Sequence, residues 1–256
     1  MNHVDNKQQG FTLIELMLAM TFVSFLLIGI AMSIIQISTI YNKGTTVKEI
    51  NQSSREINDD LRRNISAAGP LDLAKSYVLD PASATTEQDA SGGRLCLGSY
   101  SYIWNYAKAI PDRATAIANA SVTKYEATPA QPNPAIFQFV KVPDPGSLYC
   151  AKNGTGALTY RNIQAVHVPQ AQELLKNGDH DLGVHKFGFI PPVASSRDDV
   201  TGQQLYSLSY IIGTSRTEAL NGTQTACLES GSSGADPLYC NIQQFSLVVR
   251  AGNGVN

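Results

Sequence analysis

The apolar run from Phe11 to Ile35 constrains this chain more than any other stretch. Its 25 residues contain a single charge, Glu15. At about 1.5 Å of rise per residue the run makes a helix roughly 37 Å long. That length crosses a hydrocarbon core of about 30 Å. A short polar leader, Met1 to Gln9, precedes it, with Lys7 close to the boundary. Lys7 and the amino terminus put positive charge ahead of the run, which predicts a cytoplasmic leader and an external C-terminal part. A carboxylate near the start of such a segment is costly in lipid, so Glu15 is a candidate functional residue. The alternative is a plain single-pass signal anchor. A secretory signal fits poorly, because its small-residue cleavage site follows the apolar core.

The boundary residues are Lys7-Gln8-Gln9-Gly10, then Phe11-Thr12-Leu13-Ile14-Glu15-Leu16. This order resembles the class III signal of type IV pilins and type II secretion pseudopilins. The resemblance implies that a prepilin peptidase cuts between Gly10 and Phe11 and that Phe11 is then N-methylated. It also implies that Glu15 is the assembly carboxylate. Methylation keeps the charge of the new amine. Four helical steps separate that amine from Glu15 by roughly 6 Å. In a low dielectric, a neighbouring subunit's amine would neutralise Glu15 and draw the subunit into a fibre core.

Beyond Ile35 the helical pattern continues with a different character. Ile37, Ile40, Val47, Ile50, Ile57, Leu61 and Ile65 recur at threes, fours and sevens among charged residues, one apolar stripe on a charged helix. Gly44 is the expected soft joint, and Gly69-Pro70 the stop. The spacing predicts one helix from Phe11 to about Ala68, on the order of 85 Å long. Its second half packs its stripe on a globular head. The sign-balanced charges from Arg55 to Arg63, Asp59 and Asp60 among them, read as a solvated face.

The segment Ser54 to Gly69, with Asp60-Leu61-Arg62 before an Ala-Gly ending, resembles minor pilins of the PilW type and the related PulJ/GspJ pseudopilins. Many major pilins carry a proline late in the apolar run, and this chain has none between Phe11 and Ala68. The chain also exceeds most major pilins in length. Both departures favour a minor, tip-associated subunit.

Four stretches follow from these readings: a leader over 1–10, a transmembrane or fibre-core helix over 11–35, the amphipathic half over 36–69, and a β-rich head over 70–256. Within the head, residues 71–93 read as a long loop. Arg94 to Tyr106 and Ala135 to Val142 read as strands. Leu148–Cys150, Ala157–Tyr160 and Ile163–Val168 read as further short strands, and Ala171–Lys176 as one helical turn. Leu205–Ile212 and Gln244–Arg250 read as the clearest strands. The expected class is α+β: the pilin fold, a long N-terminal helix across a mainly antiparallel sheet.

All four cysteines, Cys96, Cys150, Cys227 and Cys240, lie beyond the apolar run. On the outer side of a membrane they suggest disulfides, and four cysteines allow three connectivities. Local closure favours Cys96–Cys150 and Cys227–Cys240. A zinc site is the rival, and it lacks any C-x-x-C pair. The densest group of other possible ligands is Asn177 to His185, with Asp179 and Asp181. A solvated loop is the preferred reading there, with a cation the alternative; Asp198-Asp199 is weaker still. The aromatics from Tyr100 to Tyr106 read as a half-buried sheet face, with a ligand platform as the alternative.

The net charge is −2, which does not favour a nucleic-acid partner. The chain contains no G-x-S-x-G, Walker A, G-x-G-x-x-G or H-E-x-x-H. No enzyme activity, metal or cofactor is expected. The resemblance implies a structural subunit that helps to initiate pilus assembly. Its implied partners are sibling minor pilins, the major pilin, the prepilin peptidase/N-methyltransferase and the inner-membrane assembly platform. The alternatives are a type II secretion pseudopilin and a pilus-borne adhesin or DNA-binding tip subunit. The implied location is the inner membrane, in a single pass with an external head, and then the surface pilus.

Overall fold

In the computed structural model the described residues are 12–129, 132–154, 157–175, 181–190 and 203–252. One helix, α1 (Leu13–Ala67), runs unbroken through Gly44, so the expected joint is absent. A single glycine costs only about 1 kcal/mol in a helix interior, and the neighbouring turns carry it. The helix ends at Ala68, whose N–H reaches the carbonyls of Asn64 and Ile65.

A short helix, α2 (Leu73–Ser76), and strand β1 (Tyr77–Asp80) follow. Then come β2 (Gly92–Cys96), β3 (Tyr100–Asn105), α3 (Arg113–Ala118), β4 (Lys124–Tyr125), β5 (Ala135–Ile136) and β6 (Phe139–Pro143). The chain closes with β7 (Gln172–Glu173), β8 (Leu182–Ile190), β9 (Gln204–Thr214) and β10 (Ile242–Ala251). Five strands form an antiparallel sheet in the order β1-β2-β3-β6-β7, and three form a second in the order β10-β9-β8. A bridge between Tyr106 and Val184 links the two. A long helix on an antiparallel head makes the protein α+β, consistent with the pilin fold.

The helix stripe supplies one wall of the main core. Ile50, Ile57, Leu61 and Ile65 are fully buried with Tyr102, Trp104, Phe187 and Tyr210 from the sheets. Polar bonds stitch the same seam. The Tyr210 hydroxyl bonds the Ser54 hydroxyl at 2.8 Å and donates to Asn58 Oδ1 at 3.1 Å. The Tyr102 hydroxyl donates to Asp60 Oδ2 at 2.6 Å, and Lys141 Nζ pairs with Asp60 Oδ1 at 2.8 Å. Asp60 therefore does not belong to the solvated face; it faces the head, because both partners sit on the sheet opposite.

Several expected elements differ. The loop over 71–93 contains α2, β1 and the start of β2. Gly92 and Gly93 are strand residues, since a Cβ at Gly93 would lie 2.5 Å from the Trp104 ring. The single strand from Arg94 to Tyr106 is a hairpin that turns at Gly98, where φ is +88°. The strand over Ala135–Val142 breaks into β5 and β6. Leu148–Cys150 is a 3-10 turn; 157–167 contributes isolated bridges, at Tyr160 and Ile163, and Val168 opens a second 3-10 turn. In place of the expected helical turn over 171–176, Gln172–Glu173 form β7, paired with β6, and Lys176 lies outside the described residues. The stretch Leu182–His185, read as loop, opens β8: Val184 pairs with Ile212.

One buried pair was not legible in advance. Arg94 is fully buried, and its Nη2 lies 2.7 Å from Asp80 Oδ2. Nη1 donates to the carbonyls of Tyr149 (3.0 Å) and Arg161 (2.6 Å), so one guanidinium fixes three segments. Disulfides join Cys96 to Cys150 and Cys227 to Cys240.

Candidate functional site: the projecting helix

The head covers α1 only from about Asn42 onward. From Leu13 to Tyr41 nearly every side chain is exposed, Phe25 at 77% and Leu13 at 76% among them. An apolar helix bare of its own protein needs another apolar surrounding. Among the described residues this helix is the one long and apolar enough to cross a membrane. Four of its hydroxyls are satisfied within the helix. The hydroxyls of Thr21, Ser24, Ser33 and Thr39 donate to the carbonyls of Leu18, Met20, Gly29 and Ile35 at 2.8–2.9 Å. Such internal pairing is what a lipid-exposed backbone and its hydroxyls require.

Glu15 sits in the first turn. Its Oε2 accepts from the Thr12 N–H at 3.0 Å and from the Thr12 hydroxyl at 2.8 Å. The Glu15 N–H in turn reaches Thr12 Oγ1 at 3.3 Å. This is a reciprocal capping box at the helix start. The pattern Thr12-x-x-Glu15 was legible in the sequence, and the role it gives Glu15 went unread there. Both carboxylate bonds use Oε2, so Oε1 is turned to no donor among the described residues. The helix thus presents a preoriented acceptor at its tip, where the N-terminal end of the macrodipole also favours negative charge. Gly10 and Phe11 lie outside the described residues.

The other candidate sites fall elsewhere. Tyr102, Trp104 and Tyr106 are fully buried, so the run is core and not a half-buried face or a platform from Tyr102 on, with Tyr100 exposed at its start. The Trp104 and Phe187 rings pack at a 35° tilt with their centroids 4.2 Å apart. Of the Asn177–His185 group, 177–180 lie outside the described residues, as do Asp198 and Asp199. His185 is buried and its Nε2 donates to the Thr214 carbonyl at 2.9 Å. Burial holds its imidazole below the ordinary range, which suits a neutral structural donor. Among the described residues no group of three or more His, Cys, Asp or Glu side chains is placed to hold a metal. A cleft lined by Glu87, Lys108, His185 and Lys186 is polar. Its charges are committed to structure: Lys108 Nζ donates to the carbonyls of Glu87 and Gln88 at 2.8 and 2.6 Å.

Residues 5–35 match the family model described as the prokaryotic N-terminal methylation motif. No curated protein and no solved structure matches this chain. The match takes in Gly10, Phe11, Glu15 and most of the exposed apolar helix. It indicates a type IV pilin or pseudopilin, a structural subunit processed by a prepilin peptidase and assembled with other pilins. The apolar helix near the N-terminus suggests a single membrane anchor.

Proposed function

We propose that this chain is a minor pilin of the PilW type, a subunit that helps to start type IV pilus assembly and sits at the pilus tip. The observation that carries the reading is the bare apolar helix, capped by one carboxylate, under the methylation motif. Prepilin peptidase cuts after Gly10 and Phe11 is methylated. Residues 11–35 hold the protein in the inner membrane, with the head over 70–256 on the outside. Sibling minor pilins then meet the helix, and its apolar surface passes from lipid to protein.

Glu15 guides that transfer. In lipid its carboxylate is costly, and the Thr12 bonds offset only part of the cost. A neighbour's methylated amine approaching Oε1 supplies an opposite charge where the dielectric is low. Removal of that carboxylate removes the drive while leaving the anchor. The two long-range disulfide and ion-pair ties in the head keep the other end rigid during the move.

Mass spectrometry of the protein purified from its host tests the processing step. The expected product begins at Phe11 and carries one methyl group on its amine. An intact Met1, or a cut beyond Ile35, overturns the reading. Glu15→Ala tests the assembly step: surface fibres are lost while the variant stays in the membrane fraction. Fibre numbers equal to wild type refute the role given to Glu15. Secretion lost with fibres retained on deletion assigns the chain to a type II secretion system instead.

A further inference from the structure

The loop closed by Cys227–Cys240 touches α1 where the helix leaves the head. Asn42 Nδ2 donates to the Tyr239 hydroxyl at 3.4 Å. The loop ends in Pro237-Leu238-Tyr239, all three exposed. Asp236 fixes this tip: its Oδ1 accepts from the N–H groups of Leu238 (3.2 Å) and Tyr239 (3.1 Å). Cys240 anchors the base of the tip through its disulfide and donates its N–H to the Asp236 carbonyl at 3.0 Å. Leu238 and Tyr239, 36% and 40% exposed, are therefore held at the surface by a hydrogen-bonded turn. Beside them Ile40 and Tyr41 of the helix are also exposed, at 72% and 69%.

The depth of this patch follows from the helix. With Glu15 at one edge of the hydrocarbon, the 20 residues to Ile35 span about 30 Å, the full core. The headgroup layer adds only about 5–7 Å on each side, so Tyr41 and Asn42, about 9–10 Å further on, lie just past its outer edge, within reach of it for a tyrosine side chain directed back along the helix. Tyrosine favours that layer, where its ring is sheltered and its hydroxyl is wet. The local charge is nearly balanced: Arg216 lies 4.0 Å from Asp236, and Lys43 and Glu229 are exposed with opposite signs. A neutral interface suits such a surface better than a strongly anionic one.

We propose that the Pro237–Tyr239 tip, with Ile40 and Tyr41, is a bilayer-surface contact that seats the head on the zwitterionic phospholipid headgroups before assembly. The contact is continuous with the membrane-spanning run and rests on the membrane-anchored reading above. It fixes the height and rotation of the head at the moment a partner pilin arrives. Entry into the fibre releases the contact.

The test uses the full chain in phosphatidylcholine/phosphatidylethanolamine vesicles. Tyr239→Trp places a reporter on the tip. Lys75→Trp places one on the exposed α2, which follows the far end of α1 and leads into β1, the strand next to β2 and so to Tyr102 beside Asp60, well away from Asn42. The native protein, with Trp104 buried, serves as the blank. Flotation after an alkaline wash reports membrane insertion separately. The expected result is that all proteins float, and that the Tyr239→Trp emission is blue-shifted and lost to lipids brominated near the headgroup. The Lys75→Trp emission stays unshifted and unquenched. If the chains float and Tyr239→Trp behaves like Lys75→Trp, the surface contact is refuted and the anchor stands. If the chains fail to float, the anchor falls and the contact with it.

Discussion

Truncation of Leu61 to alanine tests whether the second half of α1 is a wall of the head and not merely a stalk attached to it. Leu61 is fully buried in the main core. The change removes three carbons, worth about 2.4 kcal/mol at about 0.8 kcal/mol per buried methylene. The cavity left behind adds to that, bringing the expected cost to about 3–4 kcal/mol. Alanine is the better helix former, so propensity does not contribute to the loss. The readout is urea unfolding of the full chain in detergent, followed by the fluorescence of Trp104. That residue is the only tryptophan, is fully buried and lies against Phe187, so it reports the core directly. The midpoint should fall with the slope unchanged. Leu27→Ala makes the same chemical change on the projecting half, where the side chain is 58% exposed. It should cost less than about 0.5 kcal/mol. A loss below about 1 kcal/mol for Leu61→Ala, or equal losses for the two variants, would refute the packing argument.

Two further outcomes follow from the head. Burial holds the Glu173 carboxyl up at about 8, against backbone N–H bonds from Phe139, Gln138 and Leu175 that pull it down. The unfolded carboxyl ionises near 4.5, so between that pH and about 8 the folded state holds a proton that the unfolded state lacks. Stability from this group is therefore full below 4.5 and is lost as pH rises to about 8; Glu173→Gln should flatten the decline in Tm, and an unchanged slope would count against it. Asp80→Asn leaves the Arg94 guanidinium buried without its carboxylate, which should cost about 3 kcal/mol. The double variant Asp80→Asn/Arg94→Met should recover part of the loss, and denaturant midpoints that simply add would show that the pair is not coupled.

The N-terminal quarter of the protein was legible because its determinants are local. Apolar continuity and threes-and-fours spacing marked α1 to within two residues of either end; of the expected stripe Ile50, Ile57, Leu61 and Ile65 are buried, while Ile37 and Ile40 project beyond the head and are exposed. The strands β9 and β10 were legible for the same reason, since alternation survives along an unbroken strand. Glu15 was singled out by its solitude, although its bonds to Thr12 went unread.

The head between 71 and 190 was decided by partners distant in sequence. Gly92 and Gly93 read as loop residues until Trp104 is laid across them. His185 read as the end of a solvated loop until Thr214, on the neighbouring strand, accepts its hydrogen bond. Asp60 read as solvent-facing because helical spacing does not reveal that Tyr102 and Lys141 wait on the opposite sheet. Arg94 read as an ordinary strand residue, and only the fold brings Asp80 and two carbonyls to meet its charge inside the core. Periodicity is a property of neighbours in the chain, and it fixes which face of an element seeks cover. What provides the cover, and which polar groups can be buried at that place, depends on residues that only chain closure brings within a few ångströms.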